Sequence, residues 1–241
     1  MDSNYKPYDV TASAARIDGI LATPQGNYEE KDSLPDRDSL TYSNGFYAYC
    51  SALFIDIRDS SKLPDIYNRP ALAKLYRAFI SEMVALLNSD PYAREINIVG
   101  DCVWGVYNTP RTSDIDDVFR IAYYANSRVK LLNYKLAKAD YKTTLRAGIG
   151  LSYGRALMVK AGYNGSGIAD VVYMGDVVNS AAHLAAKCGA AFQPAILADS
   201  VFAQNLNDDN KKIITWDYSR NCYASNAVSV EMENWYEANC T

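Results

Sequence analysis

The chain has 241 residues, 49% of them apolar and 22% charged, enough to bury one full core with at most an added arm. Its net charge of -4 and pI near 5.1 leave no basic field to hold a nucleic-acid backbone, and no apolar run reaches the ~20 residues of a membrane span. Five cysteines, an odd number without C-x-x-C spacing, point to a reducing compartment and away from a zinc site; no basic-then-apolar leader follows Met1, so the cytoplasm is the expected location.

Residues 1–45 are polar and broken by Pro7, Pro24, Gly26, Pro35 and Gly45. They read as an N-terminal arm that packs across the body or onto a partner chain, with a short helix over 11–21 whose apolar face is Ile17, Ile20 and Leu21. The body, 46–241, opens with a strand over 47–57, an apolar run that delivers Asp56 at its end. Asp59-Ser60-Ser61 then offers N-cap chemistry for a short turn or helix. A longer helix begins near Pro70, with Leu72, Leu75, Phe79, Met83 and Leu87 among its stripe. Over 96–107, two apolar stretches flank Gly100-Asp101, the composition of a tight hairpin.

Ser113 with Asp114, Asp116 and Asp117 starts the next helix, its acids complementing the positive end of the helix dipole. Alternation over 145–151 gives a strand, Tyr153-Gly154 a turn, 155–160 another strand and 162–167 a loop. A short strand at 170–173 leads to Gly175-Asp176, which opens a helix that Gly189 ends as a left-handed cap. A strand near 195–198, a small helix and two strands near 212–217 and 227–236 close the chain. The order strand, helix, strand, strand, helix, strand predicts an α+β fold: a ferredoxin-like βαββαβ core with an α/β extension and helices on one face of the sheet. Side by side in such a sheet, Asp56 and Asp101 can share a hard cation. Strand ends and turns also carry Asp for solubility, so either stretch alone leaves both readings open.

Three motifs together resemble the catalytic domain of the class III nucleotidyl cyclases: Phe54-Ile-Asp56-Ile-Arg58, Ile98-Val-Gly100-Asp101, and Tyr173-Met-Gly175-Asp-Val-Val-Asn179-Ser-Ala-Ala. Ile149-Gly-Leu-Ser-Tyr-Gly154-Arg155 fits the strand and turn before that family's dimerisation arm. Thr41-Tyr-Ser-Asn-Gly-Phe-Tyr and Asp59-Ser-Ser bring the chain nearest to the bacterial pyrimidine cyclases of the Pycsar anti-phage systems. The resemblance implies that UTP or CTP is converted to the 3′,5′-cyclic monophosphate, uridylate before cytidylate, as a second messenger in defence. It implies two divalent cations per site, Mg²⁺ or Mn²⁺, held by Asp56, Asp101 and the carbonyl of Ile57. The resemblance also implies a head-to-tail homodimer that completes two equivalent sites. A cyclic-nucleotide-responsive effector protein acts through the product, with no role for nucleic acid or membrane.

The same resemblance gives roles to other residues. Backbone N–H groups from Arg58 through Asp59 and Ser60 to Ser61 would hold phosphates, and Arg155 would contact the triphosphate. Asn179 would orient the ribose. Four residues on, where related cyclases carry a transition-state arginine, stands His183, the chain's single histidine. The two purine-reading positions fall at Asn97 and Val172, and neither purine code is present. An amide at Asn97 suits either pyrimidine, with Val172 and Phe54 lining an apolar slot. Two other readings stay open: an adenylate cyclase with an atypical base pocket, or a catalytically degenerate homologue that senses nucleotides. A diguanylate cyclase would need a Gly-Gly-Asp/Glu-Glu-Phe turn, which is absent.

Overall fold

β2 (Gly45–Ile57) alternates its side chains between two faces of a sheet, and both faces are buried, which sets the architecture. The computed structural model describes residues 3–240. In chain order the elements are α1 (Val10–Leu21), β1 (Tyr28–Glu30), β2, α2 (Leu63–Ile66), α3 (Arg69–Leu87), β3 (Ala93–Val99), β4 (Cys102–Tyr107), α4 (Thr112–Lys138), β5 (Ala147–Tyr163) and β6 (Ile168–Met174). Then come α5 (Asp176–Lys187), β7 (Ile196–Ala198), α6 (Ser200–Gln204), α7 (Asp208–Lys211), β8 (Thr215–Asp217), β9 (Cys222–Ser225) and α8 (Val230–Asn239). The strands form one sheet in the order β3-β4-β2-β5-β7-β9-β8, with β1 added to β2 and β6 to β5. Elements β2, α3, β3, β4, α4 and β5 follow the expected βαββαβ order, and neighbouring strands among them are antiparallel.

On one face, Leu53, Ile55 and Ile57 pack with Leu75, Phe79 and Met83 of α3 and with Ile115, Phe119 and Ala122 of α4. Burying each such large side chain stabilises by about 1.5–3 kcal/mol. Helices were expected on one face only, but the opposite face carries one as well. There Ala48, Cys50, Ala52 and Phe54 pack against Val177, Ala181 and Ala185 of α5 and against Leu34 and Leu40 of the arm. The small side chains of β2 and α5 make this second layer possible, because they let a helix lie close on the sheet.

Several local expectations hold. Asn68 caps α3 through its side chain, with Pro70 in the first turn. Gly100 adopts a φ of 63° in the β3–β4 turn, as a tight hairpin with glycine first requires. Gly189, at φ 77°, follows the end of α5.

Others are corrected. No turn interrupts the chain at Tyr153-Gly154: β5 runs straight through, because β2 pairs with it from Ala147 to Val159 and Gly154 stands opposite Cys50. The strand expected over 227–236 is the helix α8. Ser229 caps it by accepting from the Met232 N–H, and acids Glu231 and Glu233 occupy its first turn. The side chain of Asp59 caps no helix. Asp59 takes a left-handed φ of 58°, and its carboxylate pairs with Lys62 and Arg146 instead. α1 forms where expected, capped by Asp9, yet Ile17, Ile20 and Leu21 are 54%, 63% and 77% exposed, so its apolar face is not packed on the body.

Candidate active site

The end of β2 and the β3–β4 turn bring the two acids together. Asp56 stands opposite Cys102 in the ladder, and Asp101 is the residue just before, in the turn. Directly opposed residues lie about 4.5–5.5 Å apart at Cα, so the two acids are neighbours along the backbone at this end of β2 and β4. Asp56 is engaged by the Arg58 guanidinium, which also donates to the carbonyl of Ala186 at the end of α5 (2.8 Å). Asp101 differs: its Oδ2 is buried and accepts no hydrogen bond among the described residues. Burial, with the Asp101 charge behind it, raises the Tyr76 phenol. The Tyr76 hydroxyl donates to the carbonyl of Ser60 (3.4 Å), so the Asp59-Ser60-Ser61 turn belongs to the same edge. The backbone N–H of Arg58 is already committed to the carbonyl of Arg146 (2.9 Å), which takes it out of the phosphate-binding set expected from the sequence.

Phe54 is two residues from Asp56 on β2, hence on the same face. Its ring stacks on Trp104 of β4, centroids 5.0 Å apart and planes within 4°. Asn97 of β3 is opposite Trp104, so Asn97, Trp104 and Phe54 form a row across three strands. Val172, on β6, is 38% exposed, while its neighbour Val171 packs against the cluster that holds Phe54. The apolar side chains that β6 contributes to that cluster are therefore Val171 and Tyr173.

The remaining expected residues are not gathered with the acids of the same chain. Asn179 and His183 lie on the solvent side of α5, both exposed and without a hydrogen-bond partner among the described residues. Arg155 stands opposite Tyr49 on β5, donates to Glu30 of β1 (2.6 Å), and lies over the rings of Tyr47 and Tyr49. A cavity of about 1190 Å³ opens between α1 and the β5–β6 hairpin, lined by Arg16, Tyr28, Tyr42, Lys160 and Tyr163, and it touches none of these site residues.

No model of a known protein family matches the chain. A uridylate cyclase from Gulbenkiania mobilis is 40% identical over 99% of this chain and all of its own length. A uridylate cyclase from Treponema porcinum is 38% identical over 86% of this chain and 72% of its own. The chain belongs to the uridylate cyclase family of class III nucleotide cyclases. Its fold is that of a class III adenylyl cyclase-like ATP-binding protein from Pseudomonas aeruginosa, with a TM-score of 0.71 at 18% identity, covering 92% of this chain and 48% of that one. Membership makes it an enzyme, a phosphorus–oxygen lyase.

For a member of this family, the two neighbouring acids are the informative feature. Among the described residues no group of three or more His, Cys, Asp or Glu side chains gathers as a metal cluster. Two carboxylates with a backbone carbonyl are all-oxygen donors, and the partnerless buried Oδ2 of Asp101 is the atom such an ion would satisfy. Sequence reasoning missed Trp104 and the side chain of Arg58. Trp104 was legible in principle, as an inward position next to the Gly100-Asp101 turn, and Arg58 as the residue two along from Asp56, on the same side of the extended chain.

Proposed function

We propose that this cyclase converts UTP, or CTP, to the 3′,5′-cyclic monophosphate and pyrophosphate, as the messenger-forming enzyme of an anti-phage system. The observation that carries the reading is the end-to-end 40% identity to a uridylate cyclase, and Asp56 and Asp101 at neighbouring ends of β2 and the β3–β4 turn support it. The ribose O3′ attacks the α-phosphorus, its proton is lost, and the bond to the β-phosphate oxygen breaks. Mg²⁺ or Mn²⁺ held by Asp56, Asp101 and the Ile57 carbonyl would activate the hydroxyl and neutralise the leaving pyrophosphate. The Phe54–Trp104 platform gives a flat apolar seat for a ring, and the Asn97 amide beside it matches the hydrogen-bonding edge of uracil or cytosine.

Asn179 and His183 face solvent on α5 and Arg155 pairs with Glu30, an arrangement that a head-to-tail homodimer would complete by setting one protomer's acids against the other's α5. In that arrangement Asn179 orients the ribose, and His183 and Arg155 supply positive or donor groups to the phosphates. The expected partner of the product is an effector that recognises the cyclic nucleotide. Incubating the protein with each nucleoside triphosphate and Mn²⁺ and weighing the products tests the reading. Cyclic UMP or CMP is expected; cyclic AMP as the main product would favour the adenylate reading, and no cyclic product with any triphosphate would refute the enzyme.

His183 gives a second test. Replacing a donor aimed at developing charge costs about 10²–10³ in rate. His183→Ala is expected to lose about that factor in kcat, and His183→Arg to retain or exceed wild-type turnover. Equal kcat in all three proteins would remove position 183 from the transition state.

A further inference from the structure

Arg37, in the arm, joins two strands that the sheet does not pair. Its guanidinium donates to Glu95 of β3 (3.3 Å) and to Asp170 of β6. Glu95 is two residues before Asn97 and shares its face, and Asp170 stands beside Val171, the β6 side chain that packs on the cluster holding Phe54. The bridge therefore crosses the gap between β3 and β6 just beyond the seat made by Asn97, Phe54 and Trp104. The Glu95 side chain is only 11% exposed, and burial raises its carboxyl against the opposing pull of Arg37. Past the bridge, at the Ala93 end of β3, the gap widens again into a cavity of about 330 Å³ bounded by Arg37, Arg94, Met158 and Tyr173.

We propose that Arg37 is a specificity residue: its bridge closes the far end of the base pocket at the length of a single ring and donates to a pyrimidine carbonyl oxygen. This rests on the cyclase reading above. A purine, with its second fused ring, would have to displace the guanidinium from both acids and enter the cavity behind. A pyrimidine stops at the bridge, between the Asn97 amide and the Arg37 fork, whose planar donors suit a carbonyl acceptor. The arm thereby takes part in choosing the substrate.

The test uses full-length Arg37→Ala, with kcat/KM measured for UTP, CTP, ATP and GTP in Mn²⁺. Expected are a rise of about tenfold in KM for both pyrimidine nucleotides, little change in kcat, and a gain of tenfold or more in the ratio of ATP to UTP turnover. Arg37→Lys, which reaches one acid at a time, falls between. Asp170→Asn loosens the bridge from its other end and repeats the shift in preference if Arg37→Ala folds poorly. Calorimetric binding of 3′-deoxy-UTP and 3′-deoxy-ATP, which lack the attacking hydroxyl, reads base preference without turnover. That measurement still decides the role of Arg37 if the wild type cyclises nothing. An unchanged preference in both Arg37→Ala and Asp170→Asn, whatever their melting temperatures, overturns the proposal.

Discussion

Asp101→Asn is expected to lower cyclisation by about 10²–10³-fold or more while leaving the melting temperature unchanged or slightly higher. The activity loss follows from removing one of two carboxylates that would hold the divalent ions and meet the developing charge. The stability result follows from a different property of the same side chain. Oδ2 of Asp101 is buried without a hydrogen-bond partner among the described residues, and a buried oxygen carrying unpaired charge costs folding free energy. An amide of the same shape removes the charge and leaves the packing. A function-bearing residue that weakens the fold is what a ligand site predicts, since its missing partner arrives with the ligand. Circular dichroism melts and product assays on one preparation check both halves. A variant that loses activity and several degrees of stability together would make Asp101 structural.

Asp56 would be a poorer choice for that experiment. Its carboxylate pairs with Arg58, whose side chain is 14% exposed and whose Nε already lacks a partner. Asp56→Ala would strand a half-buried guanidinium, and removing one member of such a pair destabilises beyond the value of the pair itself. Activity and folding would then fall together for unrelated reasons.

The contrast marks what could be read from the residue order and what could not. The strand ending in Asp56, the hairpin at Gly100-Asp101 and the helix after Gly175 are local patterns, in which apolar periodicity and a turn glycine sit within a few residues of each other. Arg58 at Asp56 is a neighbour two residues along the extended chain and could have been read from it; Arg37 between Glu95 and Asp170 is a tertiary fact. Arg37 lies 133 residues from Asp170, and its neighbours in sequence give no sign of either acid. The two misread elements fail for a related reason. Tyr153-Gly154 has turn composition, but its conformation is decided by pairing with β2. Residues 227–236 alternate like a strand, but Ser229 caps a helix there, and α8 packs on α4 through Lys130–Glu233 and the edge-on rings of Tyr134 and Tyr236.

Gly150→Ala is expected to be among the most damaging single-methyl changes in the protein. Gly150 of β5 stands opposite Phe54, and α5 lies directly on it. A Cβ at this position would fall inside the van der Waals envelope of the Ala181 carbonyl oxygen and the Ala185 amide nitrogen, and reach 3.1 Å from the Ala181 carbonyl carbon. All three are backbone atoms of a helix, so no rotamer change relieves the contact and α5 must lift or the strand must bow. Overpacking of this kind costs about 1–3 kcal/mol where side chains can yield, and a rigid backbone neighbour puts it at or above the top of that range. At about 2–4 °C per kcal/mol for a chain of this size, a fall of roughly 10 °C is expected. Gly154→Ala is the internal control: four residues along the same strand, its Cβ would meet only the Val177 Cβ, at 3.5 Å, an ordinary contact. Activity is expected to fall further than stability in Gly150→Ala, because α5 carries Asn179 and His183 and a shift of about 1 Å at reacting groups costs about 10²-fold. If the two glycine variants melt together, α5 is not seated on β5 as the structure has it, and the placement of Asn179 and His183 fails with it.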